Sequence, residues 1–147
     1  MKMNFKTIIF FLIIYIQISI ERRSSTRIQV VGVIGTILCK GKPYYHARVK
    51  LVNYLTFRYL DVLDSITTNR YGYFYVRGHT KGYFTIRPYL EIYHKCNRER
   101  KGYKEISIRI PTSYVFRGPV IHKYYNLGFF DLAGVKSKKK YVLEYIK

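Results

Sequence analysis

Between Gln29 and Leu132 the chain runs in short stretches of apolar or alternating residues, separated by Gly, Pro and Asn. QVVGVIGTIL (29–38) is apolar at successive positions, which predicts a strand covered on both faces. Gly32 and Gly35 offer places for a bend or bulge. The turn CKGKP follows. In ARVKLVNYL (47–55), Val49 and Leu51 fall on one side and Arg48 and Lys50 on the other. RYLDVLDSITT (58–68) predicts a third strand, though its spacing also suits a helical turn or two. A turn at 69–72 leads into a strand over 73–77, and HTKGYFTIRP reads as a connection with a brief extended piece.

RPYLEIYHKCNR, with its strand at 89–96, places Leu90, Ile92, His94 and Cys96 on one side and Tyr89, Glu91, Tyr93 and Lys95 on the other. EISIRIP turns Ile106, Ile108 and Ile110 inward, with Glu105, Ser107 and Arg109 outward. YYNLGFFDL (124–132) is the last strand. Seven strands, Gly and Pro turns, and no amphipathic helix of three turns predict an all-β, seven-stranded β-sandwich. One domain spans 30–132, followed by a basic tail at 133–147.

The first residues change the picture. Lys2 and Lys6 precede an apolar run from Ile8 to about Ile20. A basic start before a short apolar run reads as a secretory signal peptide over 1–20, and the run is short for a membrane span of about 20 apolar residues. The cleavage position is weakly marked, so the alternative is an uncleaved signal anchor that tethers the protein to the membrane. No Asn-x-Ser/Thr sequon occurs.

Lys and Arg number 27 against 8 Asp and Glu, a formal charge of +19. Removing Lys2 and Lys6 with the signal leaves 25 against 8, or +17. Such a charge favours polyanions. For a secreted chain, anionic phospholipid and glycan rank above nucleic acid. Arg48, Lys50 and Arg109 lie on outward faces, and the tail adds Lys136, Lys138, Lys139 and Lys140. These seven are the candidate contacts to an anionic partner, set against the plainer reading of a solvated surface.

Candidate chemistry is sparse. Cys39 and Cys96 in a secreted chain are most simply a disulfide. A nucleophilic Cys96 with His94 as its base is the competing reading, and it lacks an orienting third group. His94 reads as a partly buried side chain hydrogen-bonded to backbone or to a Tyr. His46, His79 and His122 match no metal-ligand spacing, so neither metal nor cofactor is expected. The eight carboxylates form no evident acid/base pair.

Six ordered blocks, VGVIGTILCKGKP, ARVKLV, TTNRYGYFYVRG, RPYLEIYHKCN, EISIRIPTSYV and YYNLGFFDL, resemble the nematode transthyretin-like family across Val30–Leu132. The resemblance implies a secreted, transthyretin-related, immunoglobulin-like β-sandwich. Cys39 and Cys96 lie in blocks where that family carries a cysteine pair. It does not imply the related hydroxyisourate hydrolase activity, which uses a first-strand histidine and a C-terminal Tyr-Arg-Gly-Ser. This first strand has no histidine, and the chain ends LEYIK. Many family members also carry a cysteine in the loop after the YHxC block. Residues 98–102 hold none here, which predicts a looser loop.

The sequence therefore points to a secreted, non-catalytic binding or adaptor protein that engages an anionic phospholipid, a glycan or a cell-surface protein. The alternative is a small hydrophobic ligand carrier working as an oligomer. A hydrolase ranks third.

Overall fold

The computed structural model describes residues 4–21, 27–54, 60–97, 102–135 and 138–140, excepting the side chains of 17–21 and 138–140. Helix α1 (Phe5–Glu21) covers most of the proposed signal segment. Every side chain from Asn4 to Ile16 is exposed, so α1 contributes nothing to the core over that span. No helix among the described residues is long and apolar enough to cross a membrane.

The strands among the described residues form two sheets. In the first, β1 (Arg27–Cys39) pairs antiparallel with β2 (Lys42–Pro43) and β5 (Tyr73–Gly82), antiparallel with β8 (Phe116–Arg117) and parallel with β9 (Tyr125–Asp131). In the second the order is β10 (Lys138–Lys140), β7 (Tyr103–Arg109), β6 (Pro88–His94), β3 (Arg48–Tyr54), β4 (Leu60–Thr67). The seven expected strands are the seven long ones, and β2, β8 and β10 are pieces of two or three residues. The ambiguous third segment is a strand. The connection after Arg77 differs from expectation, because β5 continues to Gly82 in register with Arg27–Gln29. The sheets also extend past the expected span of 30–132, from Arg27 at one end to Lys140 at the other.

The core lies between the sheets, where Val31, Val33, Ile37, Phe74 and Val76 meet Val49, Leu51, Leu90, Ile92 and Ile110. The doubly apolar run of β1 is covered on both sides, as its pattern requires. Its inward side packs in this core. Over its outward side lies the segment before β9: a Cβ on Gly32 would sit 2.4 Å from the Tyr124 ring and 3.0 Å from Ile121. Gly35 marks a register shift between β1 and β9, which fits the expected bulge.

Turn chemistry fixes the hairpins. Lys40 and Gly41 both have positive φ (53° and 74°), the conformation of a two-residue primed turn. Asp131 caps that turn, accepting from the Lys40 amide at 3.1 Å and the Gly41 amide at 2.7 Å. These backbone donors, with that of Ala133, hold its carboxyl below the usual carboxylate range. At the next turn, Asn69 Oδ1 accepts from the amides of Tyr71 and Tyr73, each at 3.0 Å.

Cross-links tie the sheets together. Cys39 at the end of β1 and Cys96 just after β6 form a disulfide with Cα atoms 5.9 Å apart. At the opposite border, Asp64 of β4 accepts from the Arg77 amide of β5 at 3.1 Å, and Asp61 accepts from the Thr80 hydroxyl at 3.2 Å.

Candidate anion-binding surfaces

The outward face of the second sheet is a grid set by strand register. One row reads Arg48, Tyr93, Glu105 and position 138 across β3, β6, β7 and β10. The next reads Lys50, Glu91 and Ser107, and the third Val52, Tyr89 and Arg109. Arg48, Lys50 and Arg109 therefore share one face of one sheet. Strand β10, with Lys138, Lys139 and Lys140, pairs with the β7 border of that sheet. Lys136 and the loop at 98–101 lie outside the described residues.

The centre of this face corrects the sequence reading. Glu105 was expected outward and Glu91 on the side away from Leu90 and Ile92, yet both are buried, Glu91 to 1 % exposure. Glu91 accepts from the Tyr93 hydroxyl at 2.7 Å on one oxygen and from the Tyr54 hydroxyl on the other. Burial, then the hydrogen bond to Glu91 and its charge, raise both phenols above their ordinary range. They stay protonated and keep donating. Tyr54 packs edge-on against Tyr89 with centroids 5.1 Å apart, and the Lys50 ammonium lies 5.2 Å from the Tyr93 ring centroid. The basic side chains thus surround a tyrosine-bound carboxylate. The sequence signal was Tyr89, Glu91 and Tyr93 on one side of a strand; what it lacked was Tyr54 from the neighbouring strand.

His94 is the second correction. It is 1 % exposed, and neither ring nitrogen has a hydrogen-bond partner. The Tyr44 ring meets it edge-on at 6.5 Å. The Tyr44 hydroxyl is engaged elsewhere, accepting from the Lys95 amide at 3.0 Å. Burial, with the positive charge of Lys104, pushes the imidazole down to about 4. With Cys96 in the disulfide, the nucleophile-and-base pairing falls away. Among the described residues no group of three or more His, Cys, Asp or Glu is placed to hold a metal.

Clefts lie elsewhere among the described residues. One, of about 560 Å³, sits on the outward face of β1 and β5 and is lined by Ile28, Val30, Arg77, His79, Val120 and Tyr124 among others. Beside it the hydroxyls of Tyr75 and Tyr124 are 3.1 Å apart. Another, of about 440 Å³, lies at the end of the sandwich between β3 and the β5–β6 connection.

The sequence profile of the Transthyretin-like family matches residues 34–111. The chain belongs to the transthyretin-like family. Transthyretin-like protein 5 of Caenorhabditis elegans is 37 % identical over 72 % of this chain and 78 % of its own length. Transthyretin-like protein 33 is 35 % identical over 71 % of this chain and 74 % of its own, and protein 46 is 31 % identical over 80 % and 67 %, both from the same nematode. A cyanobacterial 9R-lipoxygenase structure overlaps 70 % of this chain and 16 % of its own at a TM-score of 0.39 and 14 % identity, too loose a likeness to carry an argument. Within the transthyretin-like framework, the inter-sheet disulfide and the outward grid of the second sheet are the features to explain.

Proposed function

We propose that this transthyretin-like protein is a secreted, non-catalytic contact protein that engages an anionic extracellular partner through the second sheet. The observation that supports this reading most is that Arg48, Lys50 and Arg109 share a face of that sheet while the lysine strand β10 joins its border. Cations gathered on a rigid sheet attract an anionic surface without the ordering cost of a loose tail. The apolar α1 segment behind a basic start supports export, with tethering by an uncleaved anchor as the alternative.

The test is binding of the chain from Glu21 onward to vesicles with and without anionic lipid, at low and physiological salt. Each lysine near an anionic surface contributes about 1 kcal/mol. Exchanging Lys136, Lys138, Lys139 and Lys140 for Ala is expected to weaken binding by at least about tenfold. Added salt is expected to weaken it steeply, because the Debye length falls to about 10 Å at 0.1 M. Equal binding to neutral and anionic vesicles, or indifference to salt, would sink the proposal.

The 560 Å³ cleft on the first sheet favours a second reading, a small-ligand carrier. That cleft belongs to a single chain, so saturable binding by a monomer would support this version over the oligomeric one.

A further inference from the structure

The connection from Gly82 to Arg87 is pinned from beneath by two buried amides. Gln29, 3 % exposed, donates from Nε2 to the Phe84 carbonyl at 2.8 Å and accepts on Oε1 from the Ile86 amide at 3.1 Å. Asn53, 2 % exposed, accepts on Oδ1 from the Arg87 amide at 3.2 Å. Ile86 anchors the segment in the core, with 6 % exposure. Yet Phe84, two residues earlier, stands 88 % exposed. The segment is held rigidly while it presents an aromatic ring to solvent. Fixing a contact residue in advance removes the ordering cost of binding.

The 440 Å³ cleft beside that segment has Asn53 among its lining residues. Lys81 and Arg87 line the same cleft beside Tyr54, Thr80 and Phe84. Ammonium and guanidinium are charged donors, so the complementary ligand presents oxygen acceptors and negative charge. Aromatic rings at the wall suit the apolar face of a pyranose. The volume lies within the usual range of small-ligand sites, about 300–1,000 Å³.

We infer that the cleft between Asn53 and the Lys81–Arg87 segment binds an acidic saccharide unit, a uronate or sulfated sugar, through Lys81 and Arg87. This site is separate from the lysine strand, so it can stand or fall independently of the vesicle-binding proposal. A polar floor and paired cations favour a sugar over lipid chains.

The test uses the chain from Glu21 onward with a heparin tetrasaccharide. The controls are its desulfated, carboxyl-reduced form and vesicles containing phosphatidylserine. Lys81→Gln removes one of the two cations that line the cleft. Phe84→Ser and Arg87→Gln change exposed or cleft-lining side chains and provide variants that do not touch a buried position. Each is expected to weaken tetrasaccharide binding about tenfold or more, with vesicle binding unchanged. The four-lysine exchange is expected to do the reverse. Tetrasaccharide binding unaffected by all three variants, equal binding of the uncharged control, or loss on the four-lysine exchange alone would overturn the inference. Loss of vesicle binding in Phe84→Ser with tetrasaccharide binding intact would also overturn it and make the segment a lipid contact.

Discussion

The Tyr93 hydroxyl donates to Glu91, two residues earlier on the same strand, at 2.7 Å. That bond satisfies one oxygen of a carboxylate almost wholly removed from solvent. A buried charge missing a donor is costly, and hydrogen bonds to charged groups contribute about 1.5–3 kcal/mol. Tyr93→Phe is therefore expected to lower the urea unfolding free energy by about that amount. No change in the midpoint would show that Glu91 finds another partner.

The two phenols on Glu91 also make an ionisation prediction. Burial and the adjacent carboxylate raise Tyr54 and Tyr93 above ordinary tyrosines. In a spectrophotometric titration of the folded protein, two tyrosines are expected to remain protonated after exposed ones have ionised. Glu91→Gln is expected to bring them back toward the ordinary range. Indistinguishable curves for the two proteins would contradict the assignment.

His94 links stability to acid. Its folded value lies at about 4, below the ordinary imidazole value of 6.5. The unfolded chain binds the extra proton first as pH falls. Stability is thus fully present above about pH 6.5 and declines toward pH 4. His94→Leu, which keeps an apolar side chain in that site, is expected to flatten this part of the profile. Denaturant midpoints between pH 7 and 4 check it, and equal slopes in the two proteins would remove His94 as the cause.

The disulfide encloses a separation of 57 residues and joins the two sheets. Cys39→Ser with Cys96→Ser is expected to cost about 4 kcal/mol on the chain-entropy account. Chemical denaturation of the oxidised, reduced and double-serine forms measures it.

Gly72 has φ of 72°, and a Cβ there would fall 2.2 Å from the Ile37 carbonyl oxygen. That carbonyl already accepts from the Tyr44 amide at 2.8 Å. Gly72→Ala is expected to destabilise by about 1–3 kcal/mol through strain and the displaced contact. A melting temperature within a degree of the parent would contradict this.

Alternation made the strands legible, because a period of two reports which side of a strand a residue takes. It put Leu90, Ile92 and His94 inward, and the doubly apolar run of β1 announced its two covered faces. Alternation does not report what covers a face. Glu91 was placed on the correct side, yet its burial depends on Tyr54, 37 residues away. Gln29 and Asn53 were illegible for the same reason, since the backbone they pin lies 34 to 57 residues along the chain. His94 was read by residue type as a hydrogen-bonded group, but its neighbour Tyr44 uses its hydroxyl on Lys95. The tail was legible in composition, and its pairing with β7 was not.

That pairing has a consequence for crowded solutions. An uncovered β7 would be a template on which another chain could add a strand. Among the described residues the outermost position is held by three consecutive lysines. Two molecules meeting along this border would bring like charges together, and lysine on an outermost strand discourages such zipping. The residues proposed to attract an anionic partner thus also guard the protein against its own copies.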